Sequence, residues 1–108
     1  MENADFIAIL SYKATNQGGR KTYAKSGIWL LIKFPFENGL FGGLQFFYDV
    51  DIVQPGGEVK ADIKLFISDY FEGKLDEGLE FEFYEVPKLT GTGKIIKITN
   101  KKLIKNKI

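Results

Sequence analysis

The chain contains no cysteine and no histidine, and only one tryptophan and one methionine. The first absence excludes disulfides, thiolate metal ligands and cysteine nucleophiles, and leaves the redox compartment open. The second is more restrictive, because histidine is the usual general base near neutral pH and the commonest metal ligand. Without either residue, a Ser-His-Asp triad and a structural zinc site of the ordinary kind are excluded. An excess of one charge is also lacking. Fifteen Lys and Arg stand against 14 Asp and Glu, a formal net charge of +1. No global field therefore attracts nucleic acid or an anionic membrane, and such a partner needs a local patch. No apolar run approaches the roughly 18 residues of a membrane span. Met1-Glu2-Asn3-Ala4-Asp5 lacks the basic start and apolar core of a signal peptide. The expectation is a cytoplasmic protein with no membrane partner, no enzymatic activity, no cofactor, and neither a catalytic nor a metal site.

What the chain does have is aromatic residues and period-two alternation. With 108 residues, 44% hydrophobic and 27% charged, it has the composition of an ordinary globular domain with a single core. Ten phenylalanines and five tyrosines favour pleated surfaces, where aromatic rings bury large apolar areas. The most informative stretch is Val53-Gln54-Pro55-Gly56-Gly57 followed by Glu58 to about Ser68. A tight turn leads into a segment whose odd positions Val59, Ala61, Ile63, Leu65 and Ile67 are apolar. Lys60, Asp62, Lys64 and Ser68 lie on the other face, with Phe66 as the one apolar exception. That pattern predicts a half-buried strand.

Five further strands are predicted around it. Phe6 to Tyr12 is apolar on both faces, as in a strand covered on each side. A polar loop, Lys13 to Lys21, leads towards Ile28 to Phe34, which Pro35 stops. Glu37-Asn38-Gly39 and Gly42-Gly43 are turn signals, and Leu44 to Val53 forms the next extended stretch. After a solvated loop from Asp69 to Glu77, with or without one helical turn, Gly78 to Glu85 alternates cleanly, with Leu79, Phe81 and Phe83 inward. Val86 to Gly91 turns the chain into a last strand, Gly93 to Ile98. Leu103, Ile104 and Ile108 in the tail suit a short helix or an added strand equally well. Six strands with turn chemistry between them and no convincing helix predict an all-β barrel or sandwich. Residues 1–100 form the domain, and 101–108 a basic C-terminal tail carrying Lys101, Lys102, Lys105 and Lys107.

Four turn signatures occur in order: Gly18-Gly19-Arg20, Pro55-Gly56, Asp76-Glu77-Gly78-Leu79-Glu80-Phe81, and Gly91-Thr92-Gly93. Together they resemble the third, C-terminal β-barrel domain of translation elongation factor Tu, over roughly Asp5 to Ile98. The resemblance implies a six-stranded antiparallel β-barrel. It does not imply a GTPase, since no Gly-x-x-x-x-Gly-Lys-[Ser/Thr] motif is present. In that family the domain contacts the T-stem of aminoacyl-tRNA, its own catalytic domain and the nucleotide-exchange factor. Arg20 matches the family's loop arginine, Lys21 replaces the histidine after it, and Glu85 is kept. Lys88 stands where the family has the arginine of a Gly-Gly-Arg. The family's Gly-Tyr-Arg-Pro-Gln becomes Gly27-Ile28-Trp29-Leu30-Leu31, so a polar stretch has turned apolar.

Two binding surfaces follow as expectations. An apolar protein-binding patch would comprise Trp29, Leu31, Leu40 and Phe41, the last two in a turn, with a translation GTPase among the candidate partners. The alternative is a tRNA- or RNA-binding surface of Arg20, Lys21, Lys25, Glu85 and Lys88 with the basic tail. Tyr12 and Tyr23 lie beside that charge and offer stacking platforms. The same-face carboxylate pairs Asp49 with Asp51, and Glu80 with Glu82, are the ordinary content of outward strand positions.

Overall fold

The protein is described by a computed structural model covering residues 3–105. Met1, Glu2, Lys107 and Ile108, on which the N-terminal and tail expectations partly fall, lie outside the described residues. The strands are β1 (Phe6–Tyr12), β2 (Ala24–Lys25), β3 (Trp29–Lys33), β4 (Phe41–Phe47), β5 (Ile52–Val53), β6 (Glu58–Leu65), β7 (Glu80–Glu85) and β8 (Lys88–Ile98). Six of them close into an antiparallel barrel in the order β1-β6-β4-β3-β7-β8, and β2 pairs with β5 in a separate ribbon. Among the described residues, no helix is long and apolar enough to cross a membrane. The all-β, six-stranded barrel is as expected.

Alternation decides which side chains fill the barrel. On β6, Val59, Ala61, Ile63 and Leu65 are buried as predicted, whereas Ile67 lies beyond the strand and is exposed. On β7, Phe81 and Phe83 point inward. The Phe81 ring lies across Gly93 of β8, where a Cβ would collide with it. Phe81 also meets Phe6 at 5.7 Å and Phe34 at 5.8 Å between ring centroids. Such edge-on and tilted aromatic pairs add to the area they bury.

Three expectations about strand and turn boundaries need correction. The extended stretch predicted over Leu44 to Val53 breaks after Phe47. Asp49 takes a left-handed conformation (φ 64°), and Val50 N–H donates to the Tyr48 carbonyl at 2.8 Å. Aspartate tolerates that region better than most residues, so the chain turns despite its alternating pattern. Gly42-Gly43 is not a turn but lies inside β4, and Phe41 begins that strand rather than sitting in a loop. The Val86 to Gly91 turn shrinks to Val86-Pro87, because β8 already starts at Lys88.

The segment predicted as a solvated loop over Asp69 to Glu77 closes one barrel end. A 3₁₀ turn, Ser68–Phe71, delivers Phe71, and Leu75 follows; both are fully buried. The tail reaches the same end, where Leu103 is buried and Leu75 bridges Ile104 in parallel. Asp5, fully buried, ties these parts together. Its carboxylate accepts from Leu65 N–H at 2.7 Å and Asn100 Nδ2 at 2.9 Å, with Lys64 Nζ at 3.6 Å. A buried carboxylate needs this much compensation to be tolerated.

Candidate functional site

Strand β3 buries Leu30 and Ile32, so Trp29 and Leu31 must project from the outer wall. On the neighbouring β4, Gly43 and Gln45 point inward, leaving Gly42, Leu44 and Phe46 outside. Register then sets Trp29 beside Leu44 and Leu31 beside Gly42. Phe66, just past β6, donates its N–H to the Gly42 carbonyl at 3.0 Å. Its ring lies over Gly42, where a Cβ would come within 2.5 Å of Phe66 Cδ2. From there it leans on Trp29 with centroids 5.9 Å apart and planes at 51°. Trp29 is 58% and Phe66 54% exposed. The outcome is a continuous apolar face of Trp29, Leu31, Leu44, Phe46 and Phe66.

Of the four predicted patch residues, only Trp29 and Leu31 sit on this face. Leu40 is exposed at its rim. Phe41 turns towards the barrel end, edge-on to Phe71 at 4.8 Å and stacked on Tyr70 at 5.3 Å, where it packs against the core. Phe66 was not predicted as a site residue. Its signal was present in the sequence, since it is the single apolar side chain on the polar face of the β6 pattern.

The second predicted surface also assembles, but its centre is already occupied. Arg20, Lys21, Glu85 and Lys88 meet around a cleft of about 370 Å³, and Lys25 lines a second, of about 610 Å³, beyond Arg20. Arg20 Nη1 lies 2.7 Å from Glu85 Oε1, while Nη2 donates to the Tyr23 carbonyl at 3.2 Å. Lys88 Nζ donates to the Gly19 carbonyl at 3.1 Å. These contacts pin the Lys13–Tyr23 loop to the β7–β8 hairpin. Lys21 and Lys25 remain exposed, with no hydrogen-bond or ion-pair partner among the described residues. Tyr12 is buried beneath this region and its hydroxyl donates to Gln45 Oε1. Burial holds the Tyr12 phenol protonated far above its ordinary range; Arg20 opposes the shift and Glu85 adds to it. Tyr12 therefore offers neither a stacking face nor a base.

A third cleft, of about 600 Å³, is bounded by β1, β7 and β8 and by Lys33, Phe34 and Pro35 at the end of β3. Ile9, Ser11, Glu80, Thr92 and Lys94 contribute to its lining. Glu82 accepts from the Tyr84 hydroxyl at 2.9 Å, which raises the Tyr84 pKa. Tyr48 and Tyr70 are raised in the same way by hydrogen bonds to Asp62 and Glu37. Among the described residues, no group of three or more acidic side chains is placed to hold a metal ion. No protein-family model matches the chain, and no curated protein matches it in sequence.

Proposed function

We propose that this protein is a non-catalytic binding module that docks a protein partner through the outer wall of β3 and β4. The observation that carries this reading is the pair Trp29 and Phe66, both more than half exposed and leaning on each other. Aromatic anchors of this kind dominate protein interfaces. Covering their exposed parts would remove on the order of 250 Å² from water. At ~25 cal/mol per Å² that is about 6 kcal/mol before the costs of association. The resemblance to the third domain of elongation factor Tu makes a translation GTPase the partner class to test first. In that case the chain would occupy a surface that the factor's own third domain normally uses.

The alternative is RNA binding in translation elongation, and the exposed ammonium groups of Lys21 and Lys25 favour it. Against it, Arg20 and Lys88 spend their donors on the chain's own carbonyls and on Glu85.

The test is affinity capture from lysate of the source organism, with and without nuclease, at low and high salt. A protein retained through nuclease and salt, and lost with Trp29→Ala plus Phe66→Ala, supports the docking reading. RNA that is retained at low salt, released by added salt and lost with Lys21→Ala plus Lys25→Ala would put the alternative in its place.

A further inference from the structure

We infer that the partner seated on this wall is a second copy of the same chain, so that two barrels pack β3–β4 face to face; this rests on the docking reading above. Three observations lead there.

The first is charge. The charged side chains beside the face on β3, β6 and β7 are engaged within their own chain, while Lys25 at its far edge is not, among the described residues. Lys64 pairs with Asp5, and Lys33 Nζ donates to the Glu37 carbonyl at 3.0 Å. Asp62 accepts from the Tyr48 hydroxyl at 2.6 Å, and Glu82 from Tyr84. A foreign partner is selected by unpaired rim charges that it can complement. A two-fold interface instead sets the same patch against itself, where unpaired charges of one sign would repel. This face meets the second requirement and offers little to the first.

The second is area. Trp29, Leu31, Leu44, Phe46 and Phe66 together expose on the order of 400 Å² of apolar surface per copy. With a polar rim in the usual proportion, two copies would bury about 1,300 Å², within the range of stable interfaces.

The third is relief. Trp29 projects from the face, while Leu31 and Leu44 beside it are half-buried and low. Across a two-fold axis the projecting Trp29 of one copy would lie over the less exposed Leu31 and Leu44 of the other, at the ~10 Å spacing of packed sheets.

The sole tryptophan makes the test direct, since Trp29 reports on its own burial. Purified protein is diluted in steps, and its mass by sedimentation equilibrium is read beside Trp29 emission. The expected result is a mass rising from one chain of 12.2 kDa towards twofold. Emission should shift to shorter wavelength along the same isotherm, with little effect of salt. Trp29→Ala should weaken association by about 30-fold or more. Leu31→Lys keeps the reporter and places like charges near the axis, so it should abolish both signals. Far-ultraviolet circular dichroism checks that each variant is folded. A mass of one chain at every concentration overturns the inference, and so does a doubled mass with unshifted Trp29 emission. If the first of these occurs while Trp29-dependent capture of another protein persists, self-association falls and the docking reading stands. Loss of capture as well removes the docking reading too.

Discussion

On the wall formed by β7 and β8, each inward ring has polar neighbours outside. Phe81 and Phe83 are buried while Glu80, Glu82, Tyr84, Thr92 and Lys94 face outward. On the wall formed by β3 and β4 both faces are apolar. Leu30 and Ile32 fill the barrel, and Trp29, Leu31, Leu44 and Phe46 cover its outside. An antiparallel sheet that faces water on one side is expected to alternate, and a sheet apolar on both sides is one that is covered on both sides. Core packing needs only the inner set. The outer set on β3–β4 adds nothing to closure of the barrel, and it is the surface on which the docking proposal rests.

The sharpest way to break this comparison is to truncate one aromatic on each wall. Phe81→Ala removes a ring packed against Phe6, Phe34 and Gly93, and should cost about 3–5 kcal/mol in urea unfolding. Trp29→Ala at low protein concentration should change stability by about 0.5 kcal/mol or less, as a surface substitution does. A Trp29→Ala loss as large as that of Phe81→Ala would make Trp29 part of the core and end the distinction.

Next in size is Asp5→Ala, which acts where β6 meets the chain's end. It leaves Leu65 N–H and Asn100 Nδ2 without their acceptor and Lys64 without its partner. Loss of about 3 kcal/mol is expected by chemical denaturation, since a buried charged acceptor is removed from several donors. Asn at this position should recover part of the loss through its remaining carbonyl oxygen.

The same contrast marks how far the sequence could be read. β1, β6 and β7 were legible because strict alternation or a two-sided apolar run has one strand solution. The end of β4 was not, because Tyr48 to Ile52 keeps an alternating pattern through a turn that Asp49 makes in a left-handed conformation. Gly42-Gly43 carries a turn signature, yet Gly42 admits the Phe66 ring and Gly43 the Ile32 side chain, contacts that no local pattern encodes. The burial of Phe71, Leu75 and Leu103 is likewise non-local, set by two segments meeting at one barrel end. For the candidate site, Trp29 and Leu31 were readable because β3 is apolar at consecutive positions. That Arg20 is held by Glu85 was not, since the partners lie far apart in the chain.

Gly42→Ala tests whether the outer aromatic pair is a built feature. The new methyl would fall 2.5 Å from Phe66 Cδ2, so the ring must lift off the wall and lose its support against Trp29. Stability should fall by only about 1 kcal/mol, because the clash is with a side chain that can swing into solvent. Binding through the face should fall more than folding does. Equal losses in both would mean that Phe66 serves the fold rather than a partner.

The smallest effect contrasts an interior tyrosine with outer ones. Burial is the main cause that raises the Tyr12 pKa above its ordinary value of 10.0, and Tyr12 is nearly inaccessible within the barrel. The unfolded chain, with an ordinary tyrosine, releases its proton first as pH rises. Folding stability should therefore be fully present below pH 10 and decline above it. One such group contributes a loss of about 1 kcal/mol within the first pH unit beyond the ordinary value. Tyr84 and Tyr48 are raised chiefly by hydrogen bonds to carboxylates and face outward, where solvent screening leaves them a much smaller share. Urea unfolding repeated between neutral and alkaline pH reads the slope. Tyr12→Phe should flatten it, whereas Tyr84→Phe should leave it nearly unchanged. A slope that survives Tyr12→Phe would assign the alkaline sensitivity to the outer wall and reverse the contrast.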